Sequence, residues 1–179
     1  THDVQKNGGV VMGGFILRNS YRRFPKGTIH MVAVDTNVGL ESRHVVFEYE
    51  GHYFVGTDNG IFSLAFDSTP DSVYDITGLA KDNRTFPAAE AFVTVIAAIA
   101  SGKTPGEIGR PAMGLVEKNM FRATVDPRVI VGTVIYVDSY GNAITNVDQK
   151  LFEKVRAGRP YILYIRSMGY PVRKISKQY

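Results

Sequence analysis

Within the stretch Val137 to Asn146, a carboxylate (Asp138), an aromatic ring (Tyr140) and a carboxamide (Asn142) stand at alternate positions around Gly141. A carboxylate can bind an ammonium or a ribose diol, a ring can stack on a base, and a carboxamide both donates and accepts hydrogen bonds. That set suits a small zwitterionic or nucleoside ligand. Asp, Gly and Asn are also ordinary turn formers, so a plain hairpin turn is the competing reading of the same residues. The β-branched segment Gly132 to Tyr136 in front of them reads as a strand that would hold the turn in place.

A second constellation follows the apolar run Thr28 to Val34, which predicts a strand covered on both faces and ending at Asp35. A carboxylate at the carboxyl end of a buried strand lies where open α/β sheets bind ligands. Arg43 and His44 come one short loop later. A carboxylate and a guanidinium facing a cleft can orient a water or hold a charged substrate, and the same two residues can equally form a loop-stabilising ion pair.

Both groups need elements to position them. Val10, Gly14, Leu17, Tyr21 and Phe24 fall at helical spacing with arginines between them, and Pro25-Lys26-Gly27 stops that helix. Strands are predicted at about 44–49, 53–55 and 61–66, the last after the turn Asp58-Asn59-Gly60. Pro87 to Ala100 predicts a helix, with Pro87 in its first turn, Glu90 near the positive dipole end and Ser101-Gly102 closing it. Being apolar nearly all round, it is expected to lie in a core. Downstream the pattern turns strand-like, with only Lys150 to Ala157 reading as helical. Asp126-Pro127-Arg128 reads as a linker, which divides the chain into an α/β domain, residues 1–125, and a smaller all-β domain, residues 129–179.

The remaining signatures mostly exclude. The four histidines have no HExxH spacing, no G-x-S-x-G elbow exists, and no G-x-G-x-x-G fingerprint is present. Gly102-Lys103-Thr104 lacks the earlier P-loop glycine, whose place is Ala97, and it follows a helix where a phosphate cradle must precede one. Neither a metal nor a nicotinamide cofactor is expected. The chain has no cysteine, which fits a reducing compartment, and no charge-free apolar run long enough to span a bilayer. Nothing in it reads as a charged-then-apolar leader, so a cytoplasmic location is the expectation. The formal charge of +4, concentrated in the last quarter among tyrosines, is accounted for by a solvated strand face. No nucleic-acid partner is expected.

Taken in order, Phe24-Pro25-Lys26-Gly27-Thr28-Ile29-His30, Val34-Asp35 with Val38-Gly39, Val55-Gly56-Thr57-Asp58-Asn59-Gly60-Ile61, and Tyr136-Val137-Asp138 through Gly141-Asn142 to Thr145-Asn146 resemble the S-adenosyl-L-methionine hydroxide adenosyltransferase family, relatives of the fluorinase and chlorinase enzymes. The resemblance covers nearly the whole chain. It implies an N-terminal α/β domain followed by a smaller C-terminal β-barrel. It also implies a homotrimer, with each site between the N-terminal domain of one subunit and the C-terminal domain of its neighbour. The implied reaction displaces methionine from the ribose 5′ carbon of S-adenosylmethionine with water or hydroxide, and needs no cofactor.

Carried over position by position, Asp35 matches the family's water-orienting aspartate. The family's partner arginine falls on Ser42, and Arg43 stands one residue further on. The family's histidine falls on Pro87, while Thr85 and Phe86 match residues lining the ribose pocket. Asp138, Tyr140 and Asn142 match positions that hold the methionine moiety and pack on adenine. The ligand-binding half of the pattern is thus better kept than the water-activating half. Thr1-His2-Asp3 resembles the end of an early family strand, and the closing strands of the barrel would follow Tyr179, so the sequence is expected to be an internal piece of a longer polypeptide.

Overall fold

The computed structural model describes residues 9–36, 43–79, 87–119, 122–165 and 169–175. The chain forms two compact units, residues 1–120 and 121–179. The first unit runs α1 (Gly9–Ser20), β1 (Ile29–Val32), β2 (His44–Tyr49), β3 (His52–Thr57), α2 (Ile61–Ala65), β4 (Val73–Asp75), α3 (Pro87–Ala100), α4 (Pro105–Ile108) and β5 (Arg110–Ala112). Its strands make one sheet in the order β1-β3-β2-β4-β5, with β1 parallel to β3 and every other pairing antiparallel.

Successive side chains of a strand point to opposite faces, and the buried positions of β2 and β3 are mostly apolar, with His44, His52 and Thr57 the polar ones. Val45, Phe47 and Phe54 therefore join Val10, Leu17, Tyr21, Ile61, Phe62 and Leu64 in one core, under α1 and α2. Val46 and Val55 join Ala88, Ala91, Phe92, Val95 and Ile99 in another, under α3. The result is a three-layer α/β/α arrangement in which the central strands are covered twice. Gly56 of β3 makes it tight, because a Cβ there would lie 2.5 Å from the Val32 carbonyl oxygen and 2.9 Å from Phe62.

Several expectations are corrected. The 61–66 strand is the helix α2, since a short apolar run lacks the length for its period to separate helix from strand. Here Ile61, Phe62, Leu64 and Ala65 are all buried, with α1 packed against the helix. The doubly covered strand of 28–34 is shorter and less covered: β1 stands at the edge of the described sheet, and Met31 is exposed. The helix at 87–100 forms over the predicted residues but buries one face only, leaving Val93 60% exposed. Strands β4 and β5 and the helix α4 have no counterpart in the sequence reading.

The second unit contains β6 (Thr124–Asp126), β7 (Val129–Val131), β8 (Val134–Val137), β9 (Ala143–Thr145), α5 (Gln149–Arg156), β10 (Leu163–Tyr164) and β11 (Pro171–Val172). The strands pair antiparallel in twos, β6 with β7, β8 with β9 and β10 with β11, and among the described residues they do not close into a barrel. The segment Asp126-Pro127-Arg128 is the turn joining β6 to β7 and not a linker; the two units divide between Met120 and Phe121. Asp148 caps α5 by accepting from the Leu151 N–H at 2.7 Å.

Candidate functional site

Parallel pairing brings the carboxyl ends of β1 and β3 side by side, with Val32 opposite Gly56. Three residues past that point lies Asp35, exposed and with φ at 48°, in the left-handed region that Asp enters more readily than most residues. Its carboxylate lies beside the first residue of α1, so that a Cβ on Gly9 would be 3.3 Å from Asp35 Oδ2. The unpaired amides at a helix start favour a negative group there. Asn59, past the end of β3, donates from Nδ2 to the Val34 carbonyl at 2.7 Å and ties the two strand ends together.

Arg43 does not pair with Asp35. Its Nε donates to Asp58 Oδ2 at 3.0 Å and its Nη2 to the same oxygen, while Nη2 also reaches the Gly114 carbonyl at 2.7 Å. The Asp58 side chain is 0% exposed, and its other oxygen, Oδ1, accepts from the Val116 N–H at 2.9 Å. The sequence shows Asp58 in a turn and in the family-resembling segment but not its pairing, because its partners lie far away in sequence. Beside it, Thr57 Oγ1 lies 3.2 Å from Nδ1 of buried His44, whose ring meets Phe92 edge-on. Burial pushes the His44 imidazole below its ordinary value.

In the second unit, Asp138 to Asn142 connect β8 to β9, so the hairpin reading holds. The turn is built on the Asp138 carboxylate. Oδ1 accepts from the Tyr140 and Asn142 N–H groups at 2.9 and 2.8 Å, and Oδ2 accepts from Asn142 Nδ2 at 2.8 Å. These bonds, the Asn142 side chain's first, hold the Asp138 carboxyl below the usual carboxylate range. Gly141 supplies the positive φ of 84°. Tyr140 is left 90% exposed, its ring open to a ligand or a neighbouring surface. Thr85, Phe86 and Ser42 lie outside the described residues, and of Pro87 the backbone alone is described, at the start of α3.

Comparison with known proteins identifies these two units. Residues 1–109 match the SAM hydroxide adenosyltransferase N-terminal domain, and residues 132–179 match the SAM hydroxide adenosyltransferase C-terminal domain. The chain belongs to the SAM hydroxide adenosyltransferase family.

A curated relative, the (R)-S-adenosyl-L-methionine hydrolase of Methanocaldococcus jannaschii, is 26% identical over 156 residues, which are 82% of this chain and 52% of the relative. The chain thus spans about half the length of that protein. Among solved structures, an uncharacterized conserved protein from Thermotoga maritima superposes with a TM-score of 0.75 at 25% identity, over 90% of this chain and 64% of that one. A conserved hypothetical protein from Thermus thermophilus gives a TM-score of 0.60 at 25% identity, over 78% and 55% of the two chains. For this adenosyltransferase-family chain, the matched N-terminal part contains Asp35, Arg43 and Asp58, and the matched C-terminal part contains Asp138, Tyr140 and Asn142. Among the described residues, no group of three or more His, Asp or Glu is placed to hold a metal ion, and no helix is long and apolar enough to cross a membrane.

Proposed function

We propose that this protein hydrolyses S-adenosylmethionine to adenosine and L-methionine. A water oxygen attacks the ribose 5′ carbon as the carbon–sulfur bond breaks; sulfur keeps the electron pair, methionine leaves as a neutral thioether, and one proton of the attacking water passes to solvent. Because the sulfonium is already a good leaving group, the protein has to supply chiefly alignment, a desolvated pocket and an oriented water. The observation that carries this reading is the placement of Asp35, which the sequence resemblance matches to the family's aspartate, past the paired ends of two parallel strands. Its carboxylate is the group that orients the water. Asp138 faces the methionine ammonium through its remaining acceptor site, Asn142 and Tyr140 hold the nucleoside, and Thr85 and Phe86 line the ribose. The implied assembly is a homotrimer in the cytoplasm, with each site shared between neighbouring subunits.

A second reading, a nucleoside-binding protein that does not turn over its ligand, is favoured by two observations. Arg43, the candidate partner of Asp35, is engaged by Asp58, and a proline opens α3 where the family has histidine. Incubating the intact protein with each sulfonium configuration of S-adenosylmethionine and measuring adenosine separates the readings. Release of adenosine that falls by roughly two to four orders of magnitude in Asp35→Asn supports the hydrolase. Tight binding with no adenosine supports the second reading, and wild-type turnover in Asp35→Asn removes that residue from the mechanism.

A further inference from the structure

Residues 113–119 lie in none of the described strands, yet they are pinned by Arg43 before β2, Asp58 after β3 and Ser63 of α2. The Asn59 side chain, next to Asp58, bonds the Val34 carbonyl beside Asp35. Arg43 donates from Nη1 to the Met113 carbonyl at 3.4 Å and from Nη2 to the Gly114 carbonyl at 2.7 Å. Asp58 Oδ1 accepts from the Val116 N–H at 2.9 Å. Ser63 Oγ accepts from the Lys118 N–H at 2.8 Å. Two of these three attachments pass through the Arg43–Asp58 pair, and the Asp58 N–H itself donates to the Arg43 carbonyl at 2.8 Å. Asp58 is sealed from solvent while Arg43 is 28% exposed, so the pair is anchored from the inside. A charged hydrogen bond to a buried carboxylate is both strong and strict in direction, which is what holding an irregular segment requires. The pinned segment carries Met113, 96% exposed despite a fixed backbone. A thioether side chain so placed offers an adaptable apolar contact to a ring or another sulfur.

We propose that Asp58 is a positioning residue: through Arg43 and the Val116 amide it latches residues 113–118 as one wall of the ligand site, with Met113 as the side chain that wall presents to ligand. This rests on the reading of the Asp35 region as the S-adenosylmethionine site. It also gives Arg43 a role separate from water activation: it holds the wall, and Asp35 acts without it. Asp58 touches no reacting atom. Its loss acts on where the wall sits, so the effect falls on affinity before it falls on the chemical step.

The test uses the intact protein, with amide hydrogen exchange and calorimetric titration of S-adenosylmethionine run side by side. In Asp58→Asn and in Arg43→Lys, the Val116 amide should exchange at least about tenfold faster while β2 and β3 amides keep their protection. The same variants should bind S-adenosylmethionine about ten- to a hundredfold more weakly, as expected when a binding wall shifts by an ångström or so. Their kcat, measured at saturating substrate, should change far less than KM. Met113→Ala should weaken binding with the Val116 exchange rate unchanged, which a merely structural methionine would not do. Faster exchange with unaltered affinity in both latch variants would overturn the proposal by making the pair purely structural, as would unaltered affinity in Met113→Ala. If wild type itself binds no S-adenosylmethionine, the reading of the site fails and the ligand-wall role fails with it. A failure confined to the variants strikes the latch alone.

Discussion

Asp138 serves two purposes that one substitution can separate. Its carboxylate organises the turn by accepting three hydrogen bonds, and on the proposed reading its charge also meets the methionine ammonium. A carboxylate has about four acceptor sites, so three internal bonds leave room for one to a ligand. Asp138→Asn keeps an oxygen for the Tyr140 and Asn142 amides but removes the charge. S-adenosylmethionine should then bind about ten- to a hundredfold more weakly, while adenosine, which lacks the amino-acid group, should change little. Calorimetry on both ligands decides it. Equal losses would place Asp138 against the nucleoside, and no loss for either would leave the turn a hairpin and nothing more.

Among the elements, the central strands set both stability and its pH dependence. Gly56→Ala should destabilise the protein by about 1–3 kcal/mol, because the methyl group would collide with β1 backbone and with Phe62 where neither can easily yield. Urea unfolding at neutral pH measures this, and an unchanged midpoint would show that β1 and β3 can separate at no cost.

At the opposite end of the same strands, His30 Nε2 lies 3.4 Å from His52 Nδ1, and His30 stacks on Phe54. Burial lowers both imidazoles below 6.5, with the neighbouring imidazole adding to the effect on His30 and Lys26 to that on His52. The unfolded chain therefore binds more protons than the folded one in the window just below 6.5. Stability should be fully present above that value and fall as the pH drops through it. Glu50, held down at about 2 chiefly by Arg22, does not titrate in that window. Urea midpoints near pH 7 and near pH 5.5 should differ in wild type, and His52→Gln should shrink the difference. Equal midpoints in wild type would contradict this account.

For the whole molecule, the two units differ in how they are covered. Every member of the two buried cores belongs to the first unit. In the second, Val125, Val129, Val131, Val134, Val137, Ile162, Tyr164 and Ile165 are exposed, and α5 buries none of its residues. Exposed apolar side chains gathered into one patch are characteristic of interaction surfaces. The proposed homotrimer would cover these residues under closed cyclic symmetry, with three equivalent sites. Light scattering on the intact protein at micromolar concentration should give three times the chain mass, and a monomer there would contradict the assembly.

Sequence by itself determined the features carried by local pattern. The 3.6-residue spacing marked α1, an apolar stretch opened by proline and closed by glycine marked α3, and β-branched and aromatic runs marked β2 and β3. The ordered motifs marked the family, because turns and strand ends must recur at fixed separations for a shared site to form. Tertiary structure decided what depends on distant partners. Ile61 to Ala65 became a helix because a five-residue apolar run takes its conformation from what it packs on. Arg43 went to Asp58 instead of Asp35 because the fold brings β2's start, β3's end and residues 113–116 to one point. No spacing in the chain records that meeting, since a charged side chain pairs with whatever the fold sets within its reach.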